Sequence, residues 1–131
     1  MGRTANKQTQ PQTMETLEAV EIAARAAGEK KATEIVALDL REVASFTEYF
    51  VICTGANTRQ VQAISNSVED ELRKAGKRPL HIEGYSTGEW ILLDYGDFIV
   101  HVFSNSSRRF YDLERLWRDA GPVNLPEESI R

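Results

Sequence analysis

Residues 89–103, EWILLDYGDFIVHVF, decide the fold of this sequence. They hold two runs typical of β-strands, residues 89–94 and 98–103, joined by an Asp-Tyr-Gly-Asp connection. Gly96 lies inside that connection, where a glycine tolerates the positive φ that tight turns require. The stretch therefore predicts a β-hairpin.

Both faces of this hairpin are largely apolar. Alternation along the first strand places Trp90, Leu92 and Asp94 on one face, and Ile91 and Leu93 on the other. Helices can cover one face, and a small domain can leave part of the second face open as an aromatic interaction surface with an acidic rim. The pattern leaves two readings open, because both faces can equally be buried.

Apolar periods outside the hairpin predict three helices and three more strands. The expected elements, in chain order, begin with a helix over 14–31, strands over 34–40 and 48–54, and a helix from Asn57 or Thr58 to Ala75. A strand over 79–83, the hairpin, and a helix that starts after Asn105 or Ser106 and runs to Ala120 follow. Consecutive strands pair antiparallel, whereas the helix between the second and third strands permits one parallel pair. The order α-β-β-α-β-β-β-α therefore predicts a single α/β domain, with a mixed, mostly five-stranded sheet and packed helices. Spacing in the last helix predicts a buried side formed by Phe110, Leu113, Leu116 and Trp117.

Two polar tails flank the expected domain, which spans residues 14–121. Residues 1–13 have no apolar period, and residues 122–131 contain two prolines and a Glu-Glu pair. Segments of this composition cannot bury enough apolar surface to fold, so both tails are expected to be disordered.

The charge of the chain is unevenly distributed. The 131 residues hold 16 Lys and Arg against 20 Asp and Glu, a net charge of −4. Arg3 and Lys7 give the first 13 residues a charge of +2, which leaves −6 on the rest. An acidic domain binds the phosphates of nucleic acid weakly and is better suited to a basic protein partner. We therefore expect little direct contact with nucleic acid.

Composition also predicts where the chain works. No apolar run approaches the roughly 20 residues of a membrane helix, and the polar start does not resemble a signal peptide. Cys53 is the single cysteine, so no disulfide framework is possible within the chain. We expect a reduced, cytoplasmic protein that does not bind membranes.

Signatures of catalysis and of cofactor binding are missing. The sequence has neither a GxxxxGK[ST] loop nor a GxGxxG turn. His81 and His101 lie on separate predicted strands, where hydrogen-bonded structural histidines are commoner than metal ligands. Asp94 and Asp97 flank a tight turn, which favours Asx-turn hydrogen bonding over paired-carboxylate chemistry. We therefore expect no enzyme activity, no metal and no cofactor.

One strand-to-helix turn could bind an anion. It contains Gly55, Asn57, Thr58 and Arg59, at a helix N-terminus whose free N–H groups favour negative charge. Capping by Asn57 or Thr58 explains the same residues without a ligand, and we favour that reading. The turn keeps open an alternative function, that of a nucleotide-binding or nucleotidyltransferase-type enzyme.

Three segments together carry a family resemblance. These segments resemble the ribosomal silencing factor (RsfS/Iojap) family. The first contains Asp39, residues 49–55 and Arg59-Gln60, the second residues 89–97 and 100–103, and the third residues 109–114 and Leu116-Trp117. The resemblance covers about residues 16–120, and its combined pattern W-x-x-x-D-x-G-D…H-V…R-x-Y-x-L-E-x-L-W is long and specific.

The resemblance implies a function that the residues alone do not supply. Family members bind the large ribosomal subunit through ribosomal protein L-fourteen, block joining of the small subunit, and repress translation when nutrients are short. Their fold is related to nucleotidyltransferases and is often dimeric, so a homodimer is implied here. The Gly-Ser turn and the metal-binding acids of those enzymes are missing, so the fold kinship does not imply their activity.

The resemblance also implies which residues contact the partner. Trp90 would be the anchor, with a large contact area and one hydrogen bond to donate. Asp94 and Asp97 would meet basic side chains. The full implied set is Trp90, Leu92, Asp94, Tyr95, Gly96, Asp97 and His101.

Overall fold

A computed structural model describes the backbone of residues 3–126 and the side chains of residues 16–126. Its helices are α1 (Arg3–Glu29), α2 (Thr58–Lys74), α3 (Asn105–Tyr111) and α4 (Leu113–Leu116). Its strands are β1 (Thr33–Asp39), β2 (Tyr49–Gly55), β3 (His81–Glu83), β4 (Trp90–Asp94), β5 (Phe98–Ser104) and β6 (Gly121–Pro122). The expected α/β class and mixed sheet are confirmed.

The sheet has the order β3-β4-β5-β2-β1-β6. Its two central strands, β2 and β5, are parallel, with Tyr49 opposite Phe98, and every other pair is antiparallel. This is the single parallel pair that the sequence allowed. The helix α2 follows β2 and returns the chain to the end of the sheet at which β2 began, so a later strand can run in the same direction as β2. The expected count of five strands was one short, since β6 adds a sixth strand next to β1.

Both ends of the domain differ from the expected boundaries. The first helix begins at Arg3 rather than at residue 14. At the other end, β6 pairs with β1, and the Val123 N–H donates to the Ala37 carbonyl at 3.0 Å. Val123 and Leu125 pack on the core, so ordered chain continues past residue 121. Residues 127–131 lie outside the described part.

Two apolar cores lie on opposite faces of the sheet. The first core is covered by α1 and α2, and it includes Ile91, Leu93 and Val102, none of them exposed. The second core includes Phe50, Ile52 and Phe103 of β2 and β5. The segment before β2, α3 and α4 pack on this second face, where Ala44, Leu113, Trp117 and Ala120 contact the core. On the same face, Trp90 and Leu92 of β4 are only partly buried.

The predicted single helix at residues 105–120 was wrong, because it breaks at Asp112. Asp112 adopts a left-handed conformation (φ 49°) and separates α3 from α4. Phe110 is 80% exposed in α3, whose buried residues are Ser107 and Arg108, and Leu116 is 69% exposed in α4. Leu113 and Trp117 pack on the second core as expected. The expected burial of Phe110 and Leu116 is therefore also wrong.

A buried arginine holds the two short helices to the sheet. Arg108 is 8% exposed, and its Nε and Nη2 donate to the two carboxylate oxygens of Glu114, at 3.1 and 2.7 Å. Its Nη1 donates to the Glu34 carbonyl at 2.9 Å and to the Thr54 hydroxyl at 2.8 Å. This network bridges α3, α4, β1 and β2. No spacing in the sequence distinguishes Arg108 from the neighbouring Arg109, which is exposed.

The loop between β3 and β4 is built around a glycine. Gly84 has φ +85°, and a Cβ at this position would overlap the backbone carbonyl of Trp90. The turn therefore requires glycine for both conformation and space. Its close approach to the β4 backbone positions the start of the strand that carries Trp90.

Candidate partner-binding surface

A row of three partly buried side chains on β4 lies on the second sheet face. Ile91 and Leu93 are buried in the first core, so alternation turns Trp90, Leu92 and Asp94 to the other face, where all three are half-buried. We call these three residues the β4 strip. Of the two readings that the sequence left open, the structure favours a partly open second face.

Trp90 is held in one orientation. Its ring lies 5.0 Å from the ring of Phe103 and 4.6 Å from that of Tyr111, measured between centroids. Its Nε1–H donates to Nδ1 of His101 at 3.1 Å. The one hydrogen bond that an indole can donate is thus made inside the protein, and what the ring offers a partner is apolar surface.

His101 lies beneath the β4 strip. Its side chain is 3% exposed and makes an edge contact with Phe50, with centroids 4.5 Å apart. Burial lowers the pKa of His101 to about 3, so the imidazole is neutral. Its Nε2 has no hydrogen-bond partner among the described residues. Such a side chain does not touch a partner unless the strip above it moves.

The two carboxylate oxygens of Asp94 have different neighbours. Its Oδ1 accepts the backbone N–H of Gly96 at 2.8 Å, the Asx-turn bond expected of this residue. Its Oδ2 lies 3.7 Å from Nε2 of His81 on β3. Glu83, on the same side of β3, places a second carboxylate 3.8 Å from that nitrogen. Two carboxylates therefore lie at the edge of the strip, next to one imidazole.

The hairpin tip adds an exposed carboxylate beside a fixed backbone. Asp97 is exposed, and its carbonyl accepts the N–H of Glu48 at 2.9 Å. The carbonyl of Gly96 accepts the Thr47 hydroxyl at 2.8 Å. These two bonds tie the tip to the segment before β2. Leu80, which is 71% exposed, lies beside Gly96 and was not singled out from the sequence.

Tyr95 lies on the opposite side of the sheet. Its ring is parallel to that of Phe98, with centroids 4.9 Å apart, and packs on the core beneath α1 and α2. Burial and the nearby Glu69 raise the pKa of Tyr95, and its hydroxyl has no hydrogen-bond partner among the described residues. The structure therefore brings together Trp90, Leu92 and Asp94, places Gly96 and Asp97 at the adjoining tip, and separates Tyr95 from them.

The strand-to-helix turn at Gly55 provides acceptors for the backbone N–H groups of Ala56 and Gln60. Asn57 caps α2 by accepting the Gln60 N–H at 2.8 Å, and the Gln60 side chain accepts the Ala56 N–H at 2.6 Å. Thr58 and Arg59 are exposed in the first turn of the helix. Within the candidate anion site, capping thus accounts for Asn57 without a ligand.

Metal and thiol chemistry find no support in the part of the chain that the structure describes. Within residues 16–126, no group of three or more His, Cys, Asp or Glu side chains is arranged to hold a metal ion. Cys53 is fully buried in β2, and burial raises its pKa to about 12, so it is a thiol rather than a thiolate. Within the described residues, no helix is both long and apolar enough to cross a membrane.

These features define a small mixed α/β protein whose candidate site is an open sheet face rather than a cleft. The family model described as "Ribosomal silencing factor during starvation" matches residues 13–131, and the chain belongs to this family. The chain is 38% identical over 112 residues to ribosomal silencing factor RsfS of Halalkalibacterium halodurans, covering 86% of this chain and 96% of that protein.

Two further comparisons extend the picture. A crystal structure of a Chromobacterium violaceum protein has a TM-score of 0.77 and 36% identity, and the match covers 82% of this chain and 88% of that one. A more distant mouse relative, named "Mitochondrial assembly of ribosomal large subunit protein 1", is 27% identical over 92 residues. That match covers 68% of this chain and 40% of the mouse protein.

Proposed function

We propose that this protein binds the large ribosomal subunit through ribosomal protein L-fourteen and thereby prevents association with the small subunit, repressing translation when nutrients are limited. The observation that carries the proposal is the β4 strip, an open aromatic and acidic surface in a chain of the ribosomal silencing factor family. The name of the mouse relative also refers to the large ribosomal subunit. The action is steric, and needs no reaction at the surface.

The chemistry of the strip suits a basic protein. Trp90 and Leu92 supply apolar contact area, and Asp94 and Asp97 supply negative charge beside it. In such interfaces the aromatic residue contributes most of the affinity, while the carboxylates contribute orientation and association rate. The body charge of −6 further favours a basic protein over ribosomal RNA.

Sucrose-gradient sedimentation of purified subunits tests the proposal. The wild-type protein should travel with large subunits and reduce the yield of joined ribosomes when small subunits are added. Trp90→Ala should abolish both effects. Tyr85→Ala is the matched control, because Tyr85 is an exposed aromatic residue that bonds to α2, on the other side of the sheet. Wild-type protein that stays at the top of the gradient, or that travels with small subunits, would contradict the proposal.

Asp94→Asn tests the electrostatic part separately. The asparagine oxygen can still accept the Gly96 N–H, so the turn is kept while the charge is removed. We expect a slower association with the large subunit and a weaker salt dependence, with the dissociation rate little changed. An unchanged association rate at low salt would show that Asp94 does not face a basic partner.

The homodimer and the cytoplasmic location are parts of the same proposal. Light scattering of the free protein at micromolar concentration tests the dimer, and a monomer would remove it. Fractionation of cells tests the location, where the protein should appear in the cytoplasmic fraction and, within it, with free large subunits.

A further inference from the structure

The hydrogen bond between Trp90 and His101 crosses the hairpin diagonally. In the β4–β5 pairing, Trp90 stands opposite Phe103, and Leu92 stands opposite His101. Diagonal neighbours on one sheet face are within reach of long side chains, and the indole Nε1–H meets the imidazole Nδ1 at 3.1 Å. Because Nδ1 accepts, the imidazole carries its single proton on Nε2.

We propose that His101 is a positioning residue for partner binding, which fixes the Trp90 indole by accepting its only polar hydrogen. The inference rests on the proposed function, because it assigns a role to a residue below the surface through which the partner is bound. It also replaces the direct contact that the family resemblance implied for His101, since a side chain that is 3% exposed has no area to offer.

This arrangement has two consequences for binding. First, the Trp90 ring is already held by Phe103, Tyr111 and His101, so little side-chain freedom is lost when a partner covers it. Second, the indole needs no hydrogen-bond acceptor from the partner, because its N–H already donates to His101. The group that covers Trp90 is therefore an apolar side chain or the stem and cation of Lys or Arg, which suits a basic protein.

The burial of His101 keeps the acceptor available. A protonated imidazole would present an N–H from Nδ1 to the indole N–H, and the hydrogen bond would be lost. Phe50 and Phe103 surround the imidazole, with ring centroids 4.5 and 6.1 Å away, and this apolar setting disfavours the charged form. The same packing holds Nδ1 in place beneath the strip.

Two substitutions at one position test the inference. His101→Asn places an amide oxygen near the position of Nδ1 and can accept the indole N–H, whereas His101→Leu has similar bulk and no acceptor. We expect His101→Leu to weaken binding to large subunits about tenfold, the size typical of a buried donor that loses its acceptor, and His101→Asn to stay within about threefold of the wild type. Circular dichroism and thermal unfolding establish that each variant is folded.

A spectroscopic readout separates positioning from general packing. The Trp90 indole N–H resonance should exchange with solvent faster in His101→Leu than in the wild type or His101→Asn. Trp117, the second tryptophan of the chain, provides the internal reference. In a Trp90→Phe background, His101→Leu should cause no further loss of affinity.

The outcomes distinguish the two proposals. If wild-type protein does not bind large subunits, the proposed function fails, and the positioning role fails with it. If wild-type protein binds and His101→Leu binds equally well, only the role of His101 is overturned. Equal losses in both His101 variants, with unchanged Trp90 exchange, would likewise overturn it in favour of packing. If His101→Leu does not fold, His101→Asn decides. Binding and Trp90 indole N–H exchange close to those of the wild type support the positioning role, whereas a loss of binding with unchanged Trp90 exchange overturns it.

Discussion

Replacement of Arg108 by methionine tests whether one buried network holds α3 and α4 to the sheet. The variant keeps an apolar stem of similar length and removes all four hydrogen bonds of the guanidinium. Removing one partner of a buried ion pair costs about 3–5 kcal/mol. The Glu114 side chain is 37% exposed and can regain water, so we expect the lower end, about 3 kcal/mol.

Urea unfolding followed by far-ultraviolet circular dichroism measures this loss, and the melting temperature should fall by about 12 °C. Arg109→Met is the matched control, because its side chain is exposed and one position away. The double variant Arg108→Met with Glu114→Leu should recover part of the loss, since it leaves no uncompensated charge. An Arg108→Met variant as stable as Arg109→Met would refute the reasoning.

Three other predictions concern stability and use matched positions where the chain offers them. His101 is neutral in the folded state, and its pKa of about 3 lies below that of the unfolded chain, so its contribution to stability is complete above about pH 6.5 and declines as the pH falls towards 3. The free energy of unfolding should therefore drop by about 2 kcal/mol more between pH 7 and pH 5 in the wild type than in His101→Asn. Equal slopes in the two proteins would contradict the burial argument. Gly84→Ala should unfold or strongly destabilise the domain, because its Cβ meets a backbone carbonyl, while Gly76→Ala, at nearly the same φ but with open space around it, should cost only about 1 kcal/mol in thermal unfolding. Asn57→Ala should lower the free energy of unfolding by about 1 kcal/mol through loss of the α2 cap, and a change below about 0.3 kcal/mol in urea titration would show that the cap is dispensable.

The hairpin and the parallel pair could be predicted because they depend on local patterns. Alternation fixes which side chains of β4 share a face, and the position of α2 between strands determines the parallel pairing. The division of the last helix at Asp112 could not be predicted in the same way. Its apolar spacing fits a continuous helix, and the contacts of Arg108 with residues distant in sequence hold the broken form.

The candidate surface was predictable in position and less so in its details. Alternation identified Trp90, Leu92 and Asp94 as neighbours, whereas the placement of Tyr95 depends on how the hairpin connection turns. The burial of His101 depends on Phe50 from another strand. Leu80 lies beside Gly96, which is distant in sequence. Periodicity in the sequence does not predict such a neighbour.

The central parallel pair has a consequence for how the chain folds during its own synthesis. The residues that pair at the start of β2 and β5, Tyr49 and Phe98, are 49 positions apart, so the middle of the sheet forms only by a long-range contact. Until β5 is synthesised, β2 has one bare edge, and this strand is apolar and buried along its whole length in the finished domain. A nascent chain that stops before residue 98 therefore exposes an aggregation-prone strand, and native folding is a late, cooperative event that follows release of nearly the whole sequence from the ribosome making it.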